Sequence, residues 1–309
     1  MKSRISLFQL IPAIFIFFFL FTVACTKEKS DGAQEEEEVS SVSSESDAEA
    51  EIIFNGIFDD VMGVNDDVGM SGTGVFGRTA NGELNTVAAR VTGCQTVTIT
   101  HPNSTPFPVR IVIDFGSACV GTDGHTRRGK IICEYSNRLI FPGAIGSTHF
   151  ENFYFDSIKV EGTHKITNTS APITTQPPSR QFKVEIIDAK LLKPNGNYTE
   201  WNSTKTIKQI EGLVTLDRPV DDIFEIRGSA RGRAKRDNLL VTWNSNVVEN
   251  EPLIKRFTCR WISKGTIRTE RSNTTTNNQW VALLNFGTGS CDNRAVITVN
   301  GHSHEITLR

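Results

Sequence analysis

The sequence predicts an all-β fold: a large, curved, predominantly antiparallel sheet, sandwiched or partly closed into a barrel, with one short N-terminal helix. Three observations carry this. Apolar and polar residues alternate with period two in segment after segment beyond Thr92. Turn signals separate those segments. The helical periodicity of the chain lies upstream, between residues 48 and 62. Composition sets the outer bounds. With 38% hydrophobic and 22% charged residues the chain can build a core and is not disordered throughout. A single long apolar run, at the N-terminus, excludes a multi-span membrane protein.

Residues 1–24 read as a secretory signal, with Lys2 and Arg4 ahead of an apolar stretch from Ile5 to Ala24. The stretch nearly reaches spanning length, so an uncleaved membrane anchor is the alternative. Thr22-Val23-Ala24-Cys25 resembles the lipobox of bacterial lipoproteins, with Thr22 where those proteins usually carry Leu. The resemblance implies cleavage before Cys25 and lipidation of its thiol. Several acyl chains anchor far more firmly than one, at about 0.8 kcal/mol per buried methylene.

Cys25 and the residues to 47 are expected to form a disordered, acidic tether. Residues 26–51 hold two Lys against eight Glu and two Asp, and nearly lack large apolar side chains. Like charges repel and favour an extended, solvated chain. Lys27-Glu28-Lys29-Ser30-Asp31 resembles the surface-export signals of Bacteroidetes-type lipoproteins, and Thr26 suits sorting to the outer membrane by the same analogy. With the signal and tether removed from a total of −2, the remainder is modestly basic.

Residues 48–91 comprise the helix and a glycine-rich loop. Ile53, Ile57 and Val61 repeat at helical spacing, with Phe54, Phe58 and Met62 beside them. Asp47 is the expected N-cap and Gly63 the stop, while Gly56 weakens the pattern. The β domain covers 92–309, with about eleven to thirteen expected strands. Val109, Ile111, Ile113 and Phe115 share a face, as do Ile158, Val160 and Ile166, and Phe182, Val184 and Ile186. Pro194-Asn195-Gly196-Asn197, Arg236-Asp237-Asn238 and Asn300-Gly301 mark turns.

Two blocks echo each other, each running from one cysteine through a turn-rich midpoint to a second. The first runs from Cys94 past His101–Pro108 to Cys119, the second from Cys259 past Ser272–Gln279 to Cys291. Residues equidistant from a hairpin turn lie opposite one another, and exported proteins meet oxidising conditions. Disulfides Cys94–Cys119 and Cys259–Cys291 are therefore expected, with pairing between the two blocks as the alternative. The strand faces require an even index sum that 94 and 119 do not give, so a bulge at Gly116 is needed. Cys133 is left over as a buried thiol.

Ile113-Asp114-Phe115-Gly116, the segment Asp123-Gly124-His125-Thr126-Arg127-Arg128-Gly129-Lys130-Ile131, Ile158-Lys159-Val160-Glu161-Gly162-Thr163 and Cys291-Asp292-Asn293 resemble a group of uncharacterised Bacteroidetes lipoproteins. The resemblance spans roughly 92–308. It implies one continuous domain and brings no activity with it.

The sequence carries no Walker loop, HExxH, paired CxxC or GxSxG motif. No cofactor or metal is expected. His302 and His304 share a strand face, but their pairing opposite Val299 and Ile297 would place them semi-buried on the apolar side. His164 reads as a core residue and His125 as exposed in a turn with Asp123 and Gly124. Asp156-Ser157-Ile158 resembles a short O-glycosylation sequon of Bacteroidetes, and a turn explains it equally well. The segment 224–235 is the most informative. Arg227, Arg231, Arg233 and Lys235 fall on one strand face, and Gly228, Ala230, Gly232 and Ala234 on the other. Guanidinium groups there suit an anionic glycan or lipid, and a solvated face paired with acidic neighbours is the alternative. Trp201-Asn202-Ser203 and Trp243-Asn244-Ser245 repeat, with the indoles expected mainly as packing.

These readings point to an outer-membrane lipoprotein, facing periplasm or exterior, whose β domain binds glycan, lipid or protein without catalysis. The alternatives are a periplasmic lipid carrier or assembly factor with a concave β cavity and, third, a glycan hydrolase. Nucleic acid is not an expected partner. Metabolic labelling with a fatty acid should mark the wild-type chain and leave a Cys25→Ser variant unmarked. Equal labelling of both would remove the anchor from Cys25.

Overall fold

The computed structural model describes residues 31–62, 87–92, 94–121, 124–139, 141–172, 174, 180–213, 221–259, 261–272 and 280–308. The expected signal segment, Cys25, the glycine-rich stretch 63–82 and Asp123 lie outside them. The larger compact unit is Glu36–Arg309.

Among the described residues one helix, α1 (Asp31–Met62), precedes sixteen strands. These are β1 (Val87–Thr92), β2 (Gln95–Thr100), β3 (Val109–Asp114), β4 (Cys119–Val120), β5 (Thr126–Tyr135), β6 (Ile145–Phe155), β7 (Ile158–Asn168) and β8 (Arg180–Leu192). There follow β9 (Tyr198–Glu211), β10 (Ile223–Arg236), β11 (Leu239–Val247), β12 (Leu253–Arg256), β13 (Ile262–Arg271), β14 (Val281–Thr288), β15 (Arg294–Val299) and β16 (His302–Thr307). The strands form one antiparallel sheet in nearly sequential order, β1 at one edge and β16 at the other. The two shortest members lie off that path: β4 pairs with β5, and β12 pairs with β10 and β13. They help take the strand number above the expected range.

The sheet curves because its ladder is repeatedly interrupted. Register shifts fall between Thr148 and Tyr154, Glu161 and Thr163, Ile186 and Ala189, and Lys264 and Thr266. Each extra residue bends its strand and increases the local twist. Gly162 shows why glycine is needed at one of them. Its φ is 114°, and a Cβ there would lie 2.7 Å from the Ala189 Cα.

The curved sheet packs around α1, and this corrects the expected tether. Residues 31–47 are helical rather than extended, so the helix has 32 residues, and Asp47 is an interior residue rather than an N-cap. Val39, Val42, Ala48, Ala50, Ile53 and Ile57 are buried, and so are the polar Ser40, Ser43, Ser44, Asp47 and Glu51. A helix with so wide a buried surface lies inside a fold rather than upon it. Four of the acidic residues that suggested mutual repulsion meet a basic partner on or beside the sheet. Glu36 pairs with Arg271, Glu45 with Arg236 at 2.7 Å, Glu49 with Lys193 at 2.9 Å and Glu51 with Lys205 at 3.1 Å. Phe54 stacks on Trp201, ring centroids 5.7 Å apart, and meets Phe150 edge-on.

At the centre of the contact, Asp47 Oδ1 accepts the indole N–H of Trp201 at 2.8 Å and of Trp243 at 2.9 Å. The two indoles reach one oxygen because of β10 between them. Gly232 is the cross-strand partner of Trp201 on one side and of Trp243 on the other. A Cβ on Gly232 would fall 2.2 Å from the Trp243 ring. The small-residue face of β10 therefore admits the indoles.

Disulfides join Cys94 to Cys119 and Cys259 to Cys291, the local pairing. Cys119 reaches its partner from β4, after the chain leaves β3 through Gly116 at φ 62°.

Asp47→Ala leaves two buried indole N–H groups without their acceptor. Each such loss costs roughly 1–3 kcal/mol, so the variant should lose about 2–6 kcal/mol in urea unfolding. Asp47→Asn keeps an acceptor oxygen and should lose less.

Candidate functional site

The outer face of β10 carries the sequence-predicted basic row. Its odd-numbered residues point outward, and Arg227, Arg231, Arg233 and Lys235 are all exposed. Register then separates the four. Arg227 donates from Nε to Glu225 Oε1 at 2.7 Å and from Nη1 to the Glu249 carbonyl oxygen. The Glu225 hydrogen bond raises its already high pKa. Arg233 meets Glu200 Oε2 at 2.8 Å. Arg231 and Lys235 form no ion pair among the described residues.

Arg231 has a distinctive setting. Its cross-strand neighbours are Asn202 on β9 and Asn244 on β11. Both are the outward members of the Trp-Asn-Ser repeats, whose tryptophans point inward to Asp47. Asn202 Oδ1 accepts the Asp188 N–H at 3.0 Å, and Asn244 Nδ2 donates to Ser272 Oγ at 2.9 Å. These bonds orient the two carboxamides beside the guanidinium. Glu200, Asn202, Arg231, Arg233, Asn244 and Ser272 help line a shallow cleft of about 250 Å³. The arrangement offers a planar cation, amide groups and a hydroxyl on an open surface. Such a set is suited to hydrogen bonding with polar, anionic groups.

The chain matches no protein-family model, no curated protein and no solved structure. The site is therefore read from its own chemistry.

The remaining candidates disperse. His302 and His304 pair with Val299 and Ile297 as expected, yet both are exposed rather than semi-buried. They lie on β16, the edge of the sheet, where no further strand among the described residues covers them. Among the described residues no three His, Cys, Asp or Glu side chains are grouped to hold a metal ion. His125 is buried rather than exposed, because its ring packs 4.4 Å from Phe155 and its Nδ1 lies 2.7 Å from Asp156 Oδ2. Asp156 and Ser157 form the turn between β6 and β7. They line a second cleft of about 290 Å³ with Glu49, Lys193, Pro194 and Asn195. Cys133 is buried and accepts from Thr148 Oγ1 at 3.5 Å. No helix among the described residues is long and apolar enough to cross a membrane.

Sequence reasoning passed over a group on the inner face. Asp47, Glu51 and Asn55 are spaced by four and so share one side of α1. Lys205 stands on the inward face of β9, between Ser203 and Ile207. The spacing was visible in the sequence; the partner strand was not.

His164 is fully buried on β7, and burial lowers its pKa from 6.5 to about 3. The ring is thus neutral in the fold. On acidification the unfolded chain takes up its proton first, so the neutral ring's contribution to stability is present above pH 6.5 and lost as pH falls toward 3. Asp222 acts in the opposite sense. Burial, opposed by Arg180, raises its carboxyl from 3.8 to about 7, so its contribution is lost as pH rises through 7. A His164→Leu variant isolates the first effect. Its stability relative to wild type should improve as pH falls from 6.5 to 3, with a slope approaching about 1.4 kcal/mol per pH unit. Urea unfolding across that range measures it, and parallel curves for the two proteins would contradict it.

Proposed function

We propose that this chain is an envelope lipoprotein held to the membrane through Cys25, with a β domain that binds anionic glycans without catalysis. The observation that carries the reading is Arg231: an exposed guanidinium without an ion pair among the described residues, set between two oriented asparagines over a shallow cleft. A guanidinium pairs with a carboxylate through two parallel hydrogen bonds. Flanking carboxamides supply donors and acceptors for sugar hydroxyls. The proposed location is the outer membrane, facing either periplasm or exterior, and the likeness to Bacteroidetes lipoproteins stays part of the proposal.

Two features favour a binder over the alternatives. The concave side of the sheet, which a lipid carrier would use, holds α1, and the void beside Lys205 is about 20 Å³. A glycan hydrolase needs two carboxyl groups flanking the scissile bond. Glu200 is the carboxylate among the described residues lining the Arg231 cleft, and it is engaged by Arg233.

Titration calorimetry against an acidic oligosaccharide such as oligogalacturonate tests the reading. Arg231→Ala should weaken binding at least about tenfold, equivalent to 1.4 kcal/mol, and leave the circular dichroism spectrum unchanged. Arg231→Lys should restore only part of the affinity, because an ammonium cannot make the paired contact. Equal affinities for wild type and Arg231→Ala would move the site elsewhere.

A further inference from the structure

Lys205, Glu51 and Asn55 converge where α1 meets β9, and each is nearly inaccessible, at 4%, 3% and 7% exposure. Glu51 bridges the other two. Its Oε2 lies 3.1 Å from Lys205 Nζ, and its Oε1 accepts from Asn55 Nδ2 at 3.2 Å. Asn55 Nδ2 also donates to the Glu51 carbonyl oxygen at 2.7 Å, which holds the carboxamide against the carboxylate. Apart from Ser203 the surroundings are apolar: Phe54, Val184, Ile186, Trp201, Ile207 and Ile226 line the group.

As an ion pair this arrangement is poorly served. An ammonium has three protons to donate, and Lys205 Nζ makes no hydrogen bond of good geometry among the described residues beyond its contact with Glu51. Buried charges retain stability only when their remaining hydrogen-bonding capacity is met. An amine, a carboxamide and a bridging carboxylate shielded from water are also the parts of an acyl transfer.

We propose that Lys205 and Asn55 form an intramolecular isopeptide bond, with Glu51 as the proton carrier. Glu51 takes a proton from the Lys205 ammonium, and the neutral amine attacks Asn55 Cγ. A bond forms between Nζ and Cγ, and the bond between Cγ and Nδ2 breaks. Two ammonium protons pass by way of Glu51 to the departing nitrogen, which leaves as ammonium, and Glu51 returns to carboxylate. No oxidant, reductant or co-reactant is consumed. The positive charge leaves the interior with the product, and the void of about 20 Å³ beside the group is large enough to hold a molecule the size of water. The bond ties α1 covalently to the centre of the sheet. With Cys25 lipidated as proposed above, a pull on that anchor is borne at α1 by a covalent link rather than by side-chain contacts.

Peptide mass spectrometry on the purified full-length protein decides the matter. The expected product is one cross-linked peptide containing Asn55 and Lys205, lighter than its two components by one ammonia and uncut by trypsin after Lys205. Glu51→Gln, which keeps the shape and removes the proton carrier, should lack the cross-link, as should Asn55→Ala, which removes the acyl group. Separate, unmodified Asn55 and Lys205 peptides from the wild-type protein would overturn the proposal. So would loss of ammonia confined to the Asn55-Gly56 peptide, which marks backbone cyclisation, or a link through Glu51 with loss of water.

Discussion

The structure depends on a carboxylate placed where carboxylates are costly. Asp47 lies fully inside the contact between helix and sheet, and an ionised group taken from water costs several kcal/mol unless hydrogen bonds replace its hydration. Two indole N–H groups on one oxygen supply that replacement. They can do so because Gly232 leaves room between them. The other oxygen, Oδ2, has no protein partner among the described residues, so the balance rests on the tryptophan pair. Serines follow from the same close approach. Ser40 and Ser44 on α1, and Ser203 and Ser245 on the sheet, are small enough to let the surfaces meet, and all four are buried.

The β architecture was legible because it is written locally. Period-two alternation marked the faces of β3, β7 and β8, and the Asn300-Gly301 turn fixed the pairing of β15 with β16. The apolar half of α1 was legible for a similar reason, through Ile53 and Ile57. Its polar half was not. Glu36, Glu45 and Asp47 find their partners 235, 191 and 154 or 196 residues later in the chain. Local charge density reads such a segment as self-repelling, while tertiary structure supplies a cation or donor for these three acids. The histidines failed in a smaller way. Pairing for His302 and His304 was right and burial wrong, because burial depends on what lies beyond an edge strand. His125, expected to be exposed in its turn, instead folds its ring back onto Phe155.

The outward face shows the same division. Parity alone placed Arg227, Arg231, Arg233 and Lys235 side by side. Which of them is paired depends on the register of two neighbouring strands, since Glu200 lies opposite Arg233 and asparagines flank Arg231. A single sequence cannot reveal that register, although the repeated Trp-Asn-Ser triplets carried a clue. Both triplets align with Ala230, Arg231 and Gly232, which makes the repeat a consequence of two strands serving one partner strand.

That alignment links the two faces of the sheet. At Gly232 the row across three strands reads tryptophan, glycine, tryptophan, and it faces the helix. One residue earlier, at Arg231, the row reads asparagine, arginine, asparagine, and it faces outward. A slip of one residue in β10 would exchange the faces. It would put a guanidinium against the indoles and a glycine in the outer cleft. The buried bonds to Asp47 therefore do more than hold α1 in place. They pin the register of β9, β10 and β11 from the inside, and that register alone sets Arg231 between Asn202 and Asn244 on the outside. An exposed polar cleft cannot hold such an arrangement by its own interactions, because each is weakened by water and salt. Its geometry is held by the packing on the opposite side of the same three strands.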